Sequence, residues 1–165
     1  MADNHSFDVV SELDHVEMNN AVQHAQREIG VRYDFKGTRA ALEYDKKNQT
    51  LTVLADHEGQ LEEVLNVLKE KMLRRKVPIN SLKRDKIEEA SHDTVREHIG
   101  LHTGIDSDTA RKMIKDIKGL GLKVQAQVMD NRLRITGKKR DELQAVIAHL
   151  KEQGPDIPLQ FVNFT

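Results

Sequence analysis

The residues with the clearest chemical capacity lie in one short run, RLRITGKKR, residues 132–140. It places Arg132, Arg134, Lys138, Lys139 and Arg140 within nine positions and contains no acid. Arginine presents a rigid fork of N–H donors that matches a phosphate and can also lie flat on a base. Lysine adds a mobile point charge. Over residues 111–140 ten basic side chains stand against only Asp116 and Asp130, although the whole chain carries a net charge of −1. A local excess of this kind attracts anions even on a protein that is neutral overall. The chemistry on offer is phosphate binding.

Other chemistries have little support. Cysteine is absent, so there is no disulfide framework, thiol nucleophile or cysteine-ligated metal. No GxxxxGK[ST] loop occurs, and GLGL (119–122) reads as a helix-ending turn. On a common strand face, His98 and His102 are separated by about 13 Å at strand rise, too far to share an ion. Asp106 and Asp108 flank Ser107 at a helix start, with Ser107 or Asp108 expected as the N-cap. No serine, histidine and carboxylate set suggests itself. The sequence therefore reads as a non-enzyme, with no catalytic residues, metal or cofactor.

Length, at 165 residues, allows one ordinary domain or two small ones. With 38% hydrophobic and 32% charged residues, the composition is that of a soluble globular chain. The N-terminal MADNHSFDVV lacks a basic and apolar leader pattern, and nowhere do 18 apolar residues run together. A cytoplasmic protein without a membrane segment is expected.

The elements that must position the basic residues come from periodicity. Val22, Ala25, Ile29 and Tyr33 step along a helix over 14–33. Leu61, Val64, Leu65, Leu68 and Met72 mark a second, Ala110, Met113, Ile114 and Ile117 a third, and Leu143, Val146, Ile147 and Leu150 a fourth. Alternating runs between them read as strands. LTVLADHEGQLEEVLNVLKE (51–70) also aligns without a gap on LRITGKKRDELQAVIAHLKE (133–152). The chain thus repeats a strand-helix-strand-strand-helix-strand order. The expected class is α+β: two ferredoxin-like (βαββαβ) domains, each a four-stranded antiparallel sheet with two helices on one face. The expected domains are 1–91 and 92–165, with the N-terminal strand 6–13 open to either sheet. SLKRDKIEEAS either closes the first sheet or pairs with VREHIGL as a hairpin.

In this architecture one sheet face stays open. Alternation puts Val124, Ala126, Val128, Leu133 and Ile135 inward, and Lys123, Gln125, Gln127, Arg132, Arg134 and Thr136 outward. With VREHIGLH as the first strand of the second domain, Arg96, His98 and His102 also face outward. Arg96, His98, Arg132 and Arg134 then share the middle of one basic face, followed by Lys138, Lys139 and Arg140. The equivalent face of the first domain is blander. Neither central strand, LTVLAD or RLRITGKK, holds an aromatic, which argues against base stacking of the RNA-recognition-motif kind. VRYDFKG (31–37) ends the first helix; Tyr33 and Phe35 are expected in the core, with Arg32 and Lys36 as secondary phosphate candidates.

SFDVVSEL (6–13), REIGVRYDFKG (27–37), TGIDSDTARKMIKDIKGLGLKVQAQV (103–128), RITGKKRDELQ (134–144) and LQFVNF (159–164) together resemble the YajQ family of small bacterial proteins. The resemblance implies two ferredoxin-like domains and nucleotide binding, as a cyclic di-GMP effector or a binder of GTP or similar nucleotides. It also implies RNA or tRNA binding by the same face, or work with a transcriptional regulator; the residues themselves leave open a non-catalytic adaptor or assembly protein whose arginines serve subunit contacts, as in a homo-oligomer.

Overall fold

The computed structural model describes residues 4–165. Its backbone divides into two compact units, one built from the segment up to Glu12 together with Thr103–Thr165, the other from Leu13–His102. Each has its own core and its own sheet.

The discontinuous unit runs β1 (His5–Val10), α3 (Ser107–Lys118), β7 (Val124–Met129), β8 (Arg132–Gly137), α4 (Arg140–Gln153) and β9 (Gln160–Val162). Its sheet has the order β7-β8-β1-β9 with antiparallel neighbours, the ferredoxin-like arrangement. Of the inward residues foreseen from alternation, Leu133, Ile135, Val124 and Ala126 pack on the core, whereas Val128, near the end of the edge strand β7, is 50% exposed. Leu133 and Ile135 of β8 and Phe7 and Val9 of β1 are fully buried against Ala110, Met113, Ile117, Leu143, Val146 and Leu150 from the helices. Each such aliphatic side chain contributes roughly 1.5–3 kcal/mol by leaving water. Asp106, rather than Ser107 or Asp108, caps α3 by accepting from the Thr109 N–H at 2.7 Å.

The continuous unit runs α1 (His15–Val31), β2 (Ala41–Asp45), β3 (Thr50–Ala55), α2 (Glu58–Arg74), β4 (Leu82–Lys83), β5 (Glu88–Ala90) and β6 (Thr94–Leu101). Its sheet order is β2-β3-β6-β4, with β5 also pairing to β6. This is the same spatial order with the last strand, β6, standing where β1 stands in the other unit. Residues 94–101 therefore belong to the sheet of residues 13–102. The boundary expected after residue 91 falls instead after His102, because Leu51↔Ile99 and Val53↔Glu97 pair β6 along the whole of β3. Residues 82–90 do both things expected of them: they close this sheet and they pair with residues 94–101. The sheet has five strands, not four, because its edge is interrupted at Arg84 and Asp85. There the chain turns in to Glu97, whose carboxylate accepts from Arg84 Nε (3.0 Å), Arg84 Nη2 (2.6 Å) and the Asp85 N–H (3.2 Å).

VRYDFKG departs from expectation at one residue. Helix α1 ends at Val31, and Tyr33–Phe35 form a single 3₁₀ turn. That change of path hands the next apolar position to Phe35, which is buried, and turns Tyr33 out to 92% exposure. Gly37, at φ 77°, reverses the chain in a conformation that costs glycine little.

Candidate functional site

The open face of the discontinuous unit carries three cross-strand rows, read from the pairing registers. Ser6, Thr136 and Gln125 form one row; Val162, Asp8, Arg134 and Gln127 form the next; Arg132 and Met129 form the third. At the centre is a carboxylate that the sequence reading did not single out. Asp8 is 1% exposed and accepts from Arg134 Nε at 3.0 Å, Arg132 Nη1 at 3.2 Å and Asn163 Nδ2 at 2.8 Å. The Arg134 hydrogen bond, aided by those from Asn163 and Arg132 and opposed by burial, holds the Asp8 carboxyl well below the usual carboxylate range, at about 2. Asp8 is ionised at any physiological pH.

The consequence is a fixed pair of guanidinium groups on one buried anchor. Arg132 and Arg134 remain 36% and 42% exposed. Among the described residues no hydrogen bond involves Arg134 Nη1 or Arg132 Nε and Nη2, which leaves these donors for a further acceptor. One acid against two arginines leaves the cluster with a single positive charge. Two pre-oriented forks with spare donors can take a phosphate oxygen without first paying the entropy of ordering a long side chain.

Beside this cluster, across the Thr136–Gln125 row, lies a pocket of about 360 Å³ lined by Asn4, Lys123, Gln125, Thr136, Gly137, Lys138, Lys139 and Glu142. It gathers three of the lysines singled out from sequence. Glu142 sets one wall by accepting the Lys123 N–H at 2.6 Å, which joins the β7 end of the pocket to the first turn of α4. A Cβ on Gly137 would come within 3.1 Å of Val124 Cγ1 and 3.3 Å of Leu143 Cδ2, so glycine keeps strand and helix close at this corner. Arg140, next in the chain after Lys139, does not line this pocket but a second cavity of about 370 Å³ bordered by His5, Leu143, Ile147 and Phe164.

The remaining candidates belong to the other unit. Arg96 and His98 lie on β6, on the open face of the β2-β3-β6-β4 sheet, and do not share a face with Arg132 and Arg134. Arg96 faces Glu88 at 3.6 Å, and His98 Nδ1 meets Thr52 Oγ1 at 3.1 Å. His102 is buried, not outward, and its backbone N–H donates to the Ser81 carbonyl. Arg32 is committed locally: Nε and Nη2 donate to Asp34 at 2.9 and 2.7 Å, Glu28 lies 3.5 Å away, and the guanidinium sits 4.9 Å from the Phe35 ring centre. Lys36 is exposed on the same turn. Among the described residues no group of three or more His, Asp or Glu side chains could hold a metal ion, and no helix is long and apolar enough to cross a membrane.

A signal for Asp8 exists in the sequence. In SFDVVSEL it is the one acid at an outward position between two inward apolar residues. Its partners, however, lie 124, 126 and 155 positions away.

Matches to known proteins extend over nearly the whole chain. Residues 5–165 match the family model described as nucleotide-binding protein YajQ-like. A nucleotide-binding protein of Chloroherpeton thalassium is 42% identical over 164 residues, covering 99% of both chains. One of Thioalkalivibrio sulfidiphilus is 46% identical over 159 residues, 96% of this chain and 98% of its own length. One of Bacillus cytotoxicus is 44% identical over 164 residues, again 99% of each. A family model matched over residues 5–165, and relatives 42–46% identical over nearly their whole length, show that the chain belongs to the YajQ-like family.

Proposed function

We propose that this protein is a non-catalytic nucleotide-binding protein, and that the nucleotide phosphate is held on the open face of the β7-β8-β1-β9 sheet. The observation that carries the reading is the Arg132–Asp8–Arg134 cluster, whose spare donors lie beside the lysine pocket. Arg132 and Arg134 supply directional hydrogen bonds to phosphate oxygens. Lys123, Lys138 and Lys139 supply charge, and Gln125, Gln127 and Thr136 offer neutral donors and acceptors to a base or sugar. The printed names of the relatives, nucleotide-binding proteins, support the same class of ligand. Cyclic di-GMP and GTP are the ligands to test first.

The test is calorimetric titration of cyclic di-GMP, of GTP and of a short RNA into wild type, Arg132→Gln/Arg134→Gln and Arg96→Ala/His98→Ala, each checked for native circular dichroism. Loss of two charge-assisted hydrogen bonds predicts affinity at least about tenfold weaker in the first variant. In the second, on the other sheet, affinity stays within about twofold of wild type. The reverse result moves the site to the other unit. Salt separates ligand classes. A mono- or dinucleotide releases few counterions, so log K falls gently with log salt, whereas an RNA contacting several phosphates gives a steep slope.

A further inference from the structure

The β7-β8-β1-β9 sheet ends on an edge unlike the others. β9 is three residues long, and β2 carries Glu43 and Asp45. The edge formed by β4 and β5 is broken between Lys83 and Glu88. Short, charged or interrupted edges are how sheets avoid pairing with one another. β7 has none of these protections. It is six residues, VQAQVM, without charge, proline or glycine. Its register with β8 runs without a bulge from Val124↔Gly137 to Met129↔Arg132. Val128 is 50% exposed, and no strand among the described residues pairs with the outer side.

The sequence of this edge is also a palindrome, Val124-Gln125-Ala126-Gln127-Val128. An isologous contact brings one surface patch against itself. About a two-fold axis through Ala126, antiparallel pairing puts Val124 opposite the partner's Val128, Gln125 opposite the partner's Gln127, and Ala126 opposite the partner's Ala126. Like meets like, no charges oppose, and opposed residues keep the same face, as an antiparallel pair requires.

We infer that β7 is a homodimerisation edge, where a second copy of this chain adds its own β7 antiparallel with Ala126 on the axis. The two four-stranded sheets then become one sheet of eight strands, with both open faces on the same side. In that register Lys123 falls opposite the partner's Met129, whose other neighbour is the partner's Arg132. Gln125 likewise falls in line with the partner's Gln127 and Arg134. If the phosphate site proposed above is right, each lysine pocket would border the arginine pair of the other copy, and the second copy would complete a continuous basic surface.

The absence of cysteine allows a register-specific test that needs no ligand. In Ala126→Cys the two introduced residues face each other at a Cα separation of about 4.5–5.5 Å, within disulfide reach. In Val128→Cys each introduced residue faces Val124, and the two cysteines stand about 13 Å apart. Mild oxidation is expected to convert Ala126→Cys to a covalent dimer much faster than Val128→Cys. Sedimentation of wild type is expected to show a dimer. The variant Gln125→Lys/Gln127→Lys, which sets like charges opposite each other on an exposed face, is expected to be monomeric with unchanged circular dichroism. A wild type that stays monomeric throughout a concentration series overturns the inference. So does equal cross-linking of the two cysteine variants. Should the double lysine variant lose its fold, the cross-linking contrast decides alone. Failure here leaves the nucleotide reading standing, since that rests on titrations of the arginine variants.

Discussion

The two units place a buried carboxylate on equivalent central strands and aim it at opposite faces of the sheet. Asp8 of β1 lies opposite Arg134, on the open side. Glu97 of β6 lies opposite Val53, on the helix side, and is fully buried. Glu97 binds Arg84, which also donates to Glu62 from Nη1 (3.0 Å) and Nη2 (2.6 Å). The Arg84 hydrogen bond in turn lowers the Glu62 pKa. Arg84 therefore spends its fork on two acids of its own unit, whereas Arg132 and Arg134 share one acid and keep donors free. The same spatial strand order thus carries a carboxylate–arginine lock on the helix side of one sheet and, on the open side of the other, one acid shared by two arginines. The remaining face charges follow the same division: Glu43, Asp45 and Glu88 against Lys83 and Arg96 on one open face, Asp8 against Arg132 and Arg134 on the other.

The sharpest way to break this comparison is Arg84→Ala. It strands the Glu97 carboxylate in the core, and the loss of a partner to a buried charge costs about 3 kcal/mol or more. Chemical denaturation should show that loss with no change in nucleotide affinity; a loss below about 1 kcal/mol would mean Glu97 is relieved by water or by protonation.

Asp8→Asn comes next. The native Asp8 pKa lies below its unfolded value, so its contribution is fully present above about pH 4 and disappears as pH falls through about 2. Because its arginine partners are partly exposed, the contribution is on the order of 1–2 kcal/mol. Acid titration of stability should show the variant losing less than wild type between pH 4 and pH 2. Parallel curves would remove Asp8 as the anchor.

Arg96→Ala should have the smallest effect. Its 3.6 Å contact with Glu88 is a half-exposed ion pair, worth at most about 0.5 kcal/mol in thermal melts. A larger effect would show that the open face of the continuous unit carries more than the contrast allows.

Much of this was legible beforehand. The repeat at 51–70 and 133–152 superposes β3 on β8 and the start of α2 on that of α4, since both copies share one apolar period and one strand-to-helix spacing. Arg132, Arg134, Lys123, Lys138 and Lys139 could be placed on one side of one sheet because strand alternation is local. Tyr33 was misplaced because the helical period was carried two residues past the point where α1 ends. Arg96 and His98 were given the correct face and the wrong sheet, because β6 could have paired with either neighbour in sequence.

The sequence by itself determined the element types, the inward and outward sides of each strand, and the concentration of basic charge near residues 132–140. These follow from periods of 2.0 and 3.6 and from composition, which need only neighbours along the chain. Only the tertiary structure decided that β1 joins β8 and β9 while β6 joins β3. It also decided that Asp8 anchors Arg132 and Arg134, and that Glu97 rather than a surface acid holds Arg84. Those contacts link residues as many as 155 positions apart. They are selected by which packing buries Phe7, Val9 and Ile99 while keeping the buried carboxylates of Asp8 and Glu97 paired, a condition met by the fold and not by any one segment.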